Sequence, residues 1–310
     1  MAGTKRPDKA ELLSEPESER LAASSADREF TAKLALPKGA GPFPAIVCIH
    51  GASDASRDQF LFLHLEALLP PLGVAVARFD RRGNGVPFAD QARDVQAILE
   101  ALAARPDIDA TRLGLWGFSQ GAWIAPLVAS RSSRVAFLIL VAATGVSPVE
   151  QMRYATATQA RAAGHSEAEV DSLLALRTAY EDFARGLRAR AEVQQLIDRA
   201  KGEPWFGRSW VRPELPAEAG FLHDMDFDPV PVIAAVRVPT LLFYGEDDEW
   251  QPTDASVAVW ERTGTRDLKV VRIPKAGHAP TTPGGTDAAS VLPRYTDTLV
   301  AWIKRVARLT

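Results

Sequence analysis

Gly117-Phe118-Ser119-Gln120-Gly121 is the segment of this 310-residue chain where residue type and spacing bear most directly on chemistry. A serine hydroxyl is almost wholly protonated at neutral pH and becomes a nucleophile only when a base takes its proton. G-x-S-x-G meets a second requirement, a hydroxyl held clear of its surroundings. The run before it, Arg112-Leu113-Gly114-Leu115-Trp116, reads as a strand. The run after it, Ala122-Trp123-Ile124-Ala125-Pro126-Leu127-Val128-Ala129, reads as a helix. A sharp strand-to-helix turn strains the serine backbone and crowds the positions two before and two after against neighbouring main chain, so both want glycine. Alone, the pentapeptide is a weak signal because glycine and serine are common; the flanking elements give it weight.

The elements that must position this turn follow an alternating rhythm. Residues 30–36 alternate apolar and polar, as a half-buried antiparallel strand does. Residues 45–49 are a short, wholly apolar run of the kind that forms a buried parallel strand, 74–79 reads as another buried strand, and 113–116, 136–141, 239–244 and 268–273 read as further strands. Between them, 58–69 and 89–104 read as helices. The chain closes with a helix over 291–309, with Leu292, Tyr295, Leu299, Trp302, Ile303 and Val306 on one face. Alternating strands and helices predict an α/β fold, a mostly parallel central sheet flanked by helices on both faces. The rhythm breaks over 146–232, where 166–187 and 189–200 are helical in pattern. The stretch then becomes irregular and aromatic, with Trp205, Phe206, Trp210, Phe221 and Phe227. This reads as a helical insertion. Residues 1–25 read as a flexible N-terminal arm.

Bulk properties exclude several classes. A net charge of −3 gives no general drive toward nucleic acid or anionic membrane. No run of about 18 apolar residues predicts a membrane span, and the polar start MAGTKRPDKAELLSEPESER lacks a signal peptide's apolar core. Five histidines and one cysteine show no zinc-ligand spacing, so no metal is expected. Cys48, inside the apolar run 45–49, is expected to be a buried core residue. A single cysteine forms no intrachain disulfide and suits a reducing, cytoplasmic setting.

The chain resembles the α/β-hydrolase fold family, and within it the serine esterase and peptidase-like branch, from about residue 30 to the C-terminus. The residues that carry the likeness stand at strand ends in the family's order: His50-Gly51, Asp80-Arg81-Arg82-Gly83, the 117–121 pentapeptide, Gly245-Glu246-Asp247-Asp248 and Ala276-Gly277-His278. The resemblance implies Ser119 as nucleophile, His278 as general base and then acid, and Asp248 as the acid that orients the imidazole. Asp247 is the rival for that last role. It further implies an oxyanion hole of two backbone N–H groups, from Gln120 and from Ala52. The match departs in two places. His-Gly-Ala-Ser replaces the three-glycine form of one branch, and Gln251 stands where valine is frequent.

The expected domains are a core over 26–145 and 233–310 and a helical cap insertion over 146–232. Phe118, Trp205, Phe206 and Trp210 are candidates for the substrate pocket. His50 is expected to be structural, Asp80 and Arg82 to shape their turn, and His64, His165 and His223 to lie at the surface. The expected activity is cleavage of small to medium carboxylic esters through an acyl-enzyme, without a cofactor, by a monomer or homodimer. Peptide, thioester or lactone cleavage on the same three residues remains open, as does a non-catalytic ligand-binding role on the same fold.

Overall fold

The computed structural model describes residues 18–309, except 54, 84, 264 and 266. Eight strands form one sheet among the described residues: β1 (Ser18–Ser25), β2 (Arg28–Ala35), β3 (Phe43–Ile49), β4 (Ala75–Phe79), β5 (Ile108–Phe118), β6 (Val135–Val141), β7 (Thr240–Gly245) and β8 (Leu268–Ile273). Their spatial order is β1-β2-β4-β3-β5-β6-β7-β8. β2 runs antiparallel to both its neighbours, and every pair from β4 to β8 is parallel.

Helices cover both faces, so the inner parallel strands lose water on both sides and read as largely apolar runs, while the edge strand β8 keeps Lys269 and Arg272 exposed. α2 (Phe88–Ala103), α3 (Gly121–Ala129) and α8 (Thr253–Arg262) pack on one face, against Val47, Leu115, Leu138 and Leu242. α1 (Phe60–Leu68) and α9 (Pro293–Val306) cover the other, against Ile46, Cys48, Trp116 and Ile139. Trp116 buries its indole there with its N–H satisfied, donating to Tyr295 Oη at 2.8 Å.

Part of the expected N-terminal arm is corrected by the structure. Residues 18–25 form β1, which pairs along its whole length with β2 and turns its small apolar side chains, Leu21 and Ala23, onto the core beside α2. The rest of that stretch, 1–17, lies outside the described residues.

Between β6 and β7 the chain runs through α4 (Pro148–Ala162), α5 (Glu167–Ala184), α6 (Arg190–Ala200) and the short α7 (Val230–Ala235). Ser147 with Glu150 and Ser166 with Glu169 form reciprocal capping boxes at the starts of α4 and α5. Each satisfies backbone N–H groups that have no partner inside the helix. Ala160, Val170, Leu173, Val193, Ile197 and Trp205 form an apolar cluster of their own, so this stretch has its own packing nucleus. α7 instead joins the main core through Ile233.

His64 is a second correction. The sequence reading put it at the surface, but α1 is apolar almost all round and its position 64 turns inward. The imidazole is 6% exposed, with Nε2 3.2 Å from Thr296 Oγ1. Burial pulls its pKa down to about 4. An unfolded chain holds this proton below about pH 6.5, so between roughly pH 6.5 and 4 the unfolded state binds a proton that the folded state refuses. The contribution is fully present above pH 6.5 and is lost as pH falls toward 4. Urea unfolding of the wild type is expected to show about 2–3 kcal/mol less stability at pH 4.5 than at pH 7 from this residue, and His64→Gln should remove that difference. Equal acid losses in the two proteins would contradict the assignment.

Candidate active site

Ser119 joins β5 to α3 with φ 52°, in the left-handed region that a serine enters only under constraint. The flanking glycines make room for it. A Cβ on Gly121 would lie 2.5 Å from the Ile49 carbonyl oxygen, and one on Gly117 would run into the Gly121 carbonyl. Both obstacles are main chain, one at the end of β3 and one at the start of α3, and cannot swing aside. The strained residue is pinned at both ends: its N–H donates to the Val141 carbonyl at 2.9 Å, and its carbonyl accepts from Ala122 N–H at 2.8 Å.

His278 follows β8 and Asp248 follows β7, at neighbouring ends of parallel strands. Two backbone bonds lash these loops together, Glu246 N–H to the Ile273 carbonyl at 3.1 Å and Asp247 N–H to the Ala276 carbonyl at 2.9 Å. The result is a chain of three side chains drawn from distant parts of the sequence. Asp248 Oδ2 and Oδ1 lie 3.0 and 3.2 Å from His278 Nδ1, and His278 Nε2 lies 2.8 Å from Ser119 Oγ. The Asp248 side chain is wholly buried. An ionised carboxylate only accepts, so Nδ1 carries the imidazole proton and the Nε2 lone pair faces the serine hydroxyl. Asp247, the sequence rival, is exposed and joins the loop through its backbone N–H.

Gln120 stands at the start of α3, where the first N–H groups lack intrahelical acceptors. The loop after β3 passes close by: a Cβ on Gly51 would sit 3.5 Å from Ser119 Cβ. Arg81 steadies that loop. Its guanidinium donates to the Ala52 carbonyl at 2.8 Å and its backbone N–H to the Ala55 carbonyl at 2.9 Å. Gln120 thus adjoins the serine in sequence, and the loop that carries Ala52 passes beside it through Gly51. The Asp80 carboxylate accepts from Arg57 N and Nε, each at 2.8 Å, and Arg82 reaches Asp94 at 2.7 Å, so both shape the structure around the loop. His50 is fully buried, edge-on to Phe62 and Phe79.

The four aromatic candidates separate. Phe118 lies beside His278, ring centroids 5.2 Å apart. Trp210 reaches the site at one remove, 5.1 Å from Trp250, which in turn lies 6.0 Å from His278. Trp205 and Phe206 pack into the insertion's own cluster. Trp205 lines a surface cleft of about 540 Å³ with Leu176, Leu196 and Ala200 of α5 and α6.

The loop that carries the acid is held at Trp250 and at Gln251. Trp250 N–H donates to Asp248 Oδ1 at 2.8 Å, and the Trp250 carbonyl accepts from Gln151 Nε2 of α4 at 2.6 Å. The insertion thus holds the loop that carries Asp248. Gln251 replaces the frequent valine with a buried amide that accepts from the Thr144 hydroxyl, tying the same loop to the segment after β6. Among the described residues no group of three or more His, Cys, Asp or Glu side chains could hold a metal ion, and no helix is long and apolar enough to cross a membrane.

Comparison with known proteins agrees with this fold. The profile described as the alpha/beta hydrolase family matches residues 46–288. Esterase EstD of Thermotoga maritima is 24% identical over 266 residues, which cover 79% of this chain and 57% of EstD. Esterase FrsA of Salmonella paratyphi B is 32% identical over 124 residues, covering 36% of this chain and 30% of FrsA. The chain thus spans about half the length of the first of these relatives and under a third of the second. Among solved structures, an esterase of Pyrococcus furiosus superposes with a TM-score of 0.61 at 15% identity, over 98% of this chain and 95% of that one, a likeness of fold.

Proposed function

Since the chain belongs to the alpha/beta hydrolase family, we propose that it is a serine hydrolase that cleaves carboxylic esters of small to medium size through an acyl-enzyme. One observation carries the reading: a strained, outward-held serine 2.8 Å from an imidazole whose other nitrogen faces a buried carboxylate. The esterase names of EstD and FrsA support it.

Ser119 Oγ attacks the acyl carbon as His278 Nε2 takes its proton. Asp248 stabilises the imidazolium that forms and holds the ring in its tautomer. The tetrahedral oxyanion is received by the N–H groups of Gln120 and Ala52, and such a donor is typically worth about 10²–10³ in kcat. Collapse expels the alcohol, protonated by His278. Water, activated by the same imidazole, then attacks the acyl-Ser119 ester and releases the acid.

A covalent intermediate has a kinetic signature. Rapid mixing with p-nitrophenyl acetate is expected to give a burst of p-nitrophenol approaching one per chain, followed by slower steady turnover. Failure to trap an acetylated chain after rapid acid quench, together with no methyl acetate formed when methanol is present as a competing acyl acceptor, would contradict the acyl-enzyme. Parallel trials with a thioester, a lactone and an aminoacyl anilide then rank the acyl compounds.

A further inference from the structure

Trp210 combines exposure with backbone strain. Its side chain stands half in solvent, at 49% exposed, while its φ is 55°. A bulky residue stays in that conformation only where its surroundings over-determine it. Both flanks are fixed here. Ser209 is fully buried; its carbonyl accepts from Arg177 Nη1 at 3.2 Å, and its hydroxyl donates to the Phe206 carbonyl at 2.7 Å and accepts from Val211 N–H at 3.2 Å. Arg177 is in turn paired with the buried Glu181 at 2.9 Å, and Val211 belongs to the insertion's core. A buried ion pair is a costly way to stabilise a helix, and this one holds the carbonyl next to Trp210. The outcome is an indole turned out of the core.

The indole's polar edge is already used, its N–H donating to Gln159 Oε1 at 3.1 Å. What remains is ring surface. It continues through Trp250, centroids 5.1 Å apart at 55°, to His278, 6.0 Å further on, with Phe118 also against that imidazole. An unbroken aromatic wall therefore runs from His278 to a solvent-facing tryptophan. When the tetrahedral intermediate collapses, the leaving oxygen must be within hydrogen-bond reach of His278 Nε2. The alcohol portion of the ester is then the part that meets this wall, while the carbonyl oxygen is directed to Gln120 and Ala52.

We propose that the preferred esters carry an aromatic ring in the alcohol portion, received on the Trp210–Trp250 wall, an inference that rests on the serine-hydrolase reading above. Aromatic pairs gain from offset or edge-to-face contact beyond the area they bury, and a saturated ring of the same size does not. The test is kcat/KM for benzyl acetate against cyclohexylmethyl acetate, in the wild type, Trp210→Leu and Trp210→Phe. The benzyl-to-cyclohexylmethyl ratio of the wild type is expected to fall about five- to tenfold in Trp210→Leu and to fall much less in Trp210→Phe, which keeps a ring. The intrinsic reactivity difference of the two esters is the same for every variant, so the change in ratio reads the ring contact alone. A ratio that stays constant across the three proteins, or that falls equally in the Phe and Leu variants, overturns the proposal. Absence of turnover with both acetates and with p-nitrophenyl acetate in the wild type overturns the serine-hydrolase reading as well, a result distinct from an unchanged ratio.

Discussion

Ser119→Ala is expected to lower ester turnover by about 10⁴–10⁶-fold while leaving the fold intact. Alanine removes one oxygen and keeps the Cβ that already fits the elbow, and the main-chain bonds to Val141 and Ala122 that pin residue 119 do not involve the hydroxyl. The loss therefore reports chemistry. Without Oγ no acyl-enzyme forms, and the expected remainder is direct attack by water aided by the proposed oxyanion donors, the Gln120 and Ala52 amides. The measurement is kcat for p-nitrophenyl acetate beside a thermal unfolding curve. A loss under tenfold with unchanged unfolding would mean that another group is the nucleophile.

The second large effect belongs to the acid. Asp248→Asn keeps shape and removes charge. An amide can donate to Nδ1, which turns the imidazole to the tautomer whose Nε2 carries the proton and can no longer accept one from Ser119. Turnover at neutral pH is expected to fall about 10³–10⁴-fold. Asp247→Asn should stay within about threefold of the wild type, because that side chain is solvated and its loop bond is made by the backbone. The pair of variants separates two adjacent carboxylates on one measurement, kcat at pH 7.5. Equal losses would mean that the loop as a whole, and not the Asp248 carboxylate, supports turnover.

The two variants probe features of very different visibility in the sequence. The elbow at 117–121 was legible because its mark is local: a serine at φ 52° stands between two glycines, Gly117 against the Gly121 carbonyl and Gly121 against the Ile49 carbonyl, and no side chain fits at either. The inner parallel strands β3, β6 and β7 were legible because burial on both faces leaves apolar runs with no polar alternation. β1 was not, since its buried side is only Leu21 and Ala23 amid charged and hydroxyl residues; its strand character comes from pairing with β2 and covering by α2. α8 also went unread, behind Pro252 and a mixed Thr253-Asp254-Ala255 start, although Trp260 anchors it in the core.

Around the site the divide is the same. Aromatic residues between 205 and 210 announce packing but not direction. Trp205 and Phe206 turn into the insertion, whereas Trp210 turns out because Ser209 and Val211 are held on either side of it. Nothing local to 205–210 encodes that, since Arg177 and Glu181 lie on α5. Trp250 went unread for a related reason: its part in the site is set by Gln151, a hundred residues earlier, and by Trp210. His64 misled because a lone histidine in a helix is more often exposed, and only the packing of α9 across α1 buries it.

A Ser119 nucleophile activated by His278 and Asp248 has a covalent readout. The most direct measurement is incubation of the folded protein with a fluorophosphonate, followed by intact mass and peptide mapping, with Ser119→Ala as control. The expected result is a single phosphonyl adduct per chain, mapped to Ser119, absent from the control and slowed by Asp248→Asn. An unmodified wild type, or an adduct on another residue that persists in Ser119→Ala, would contradict it.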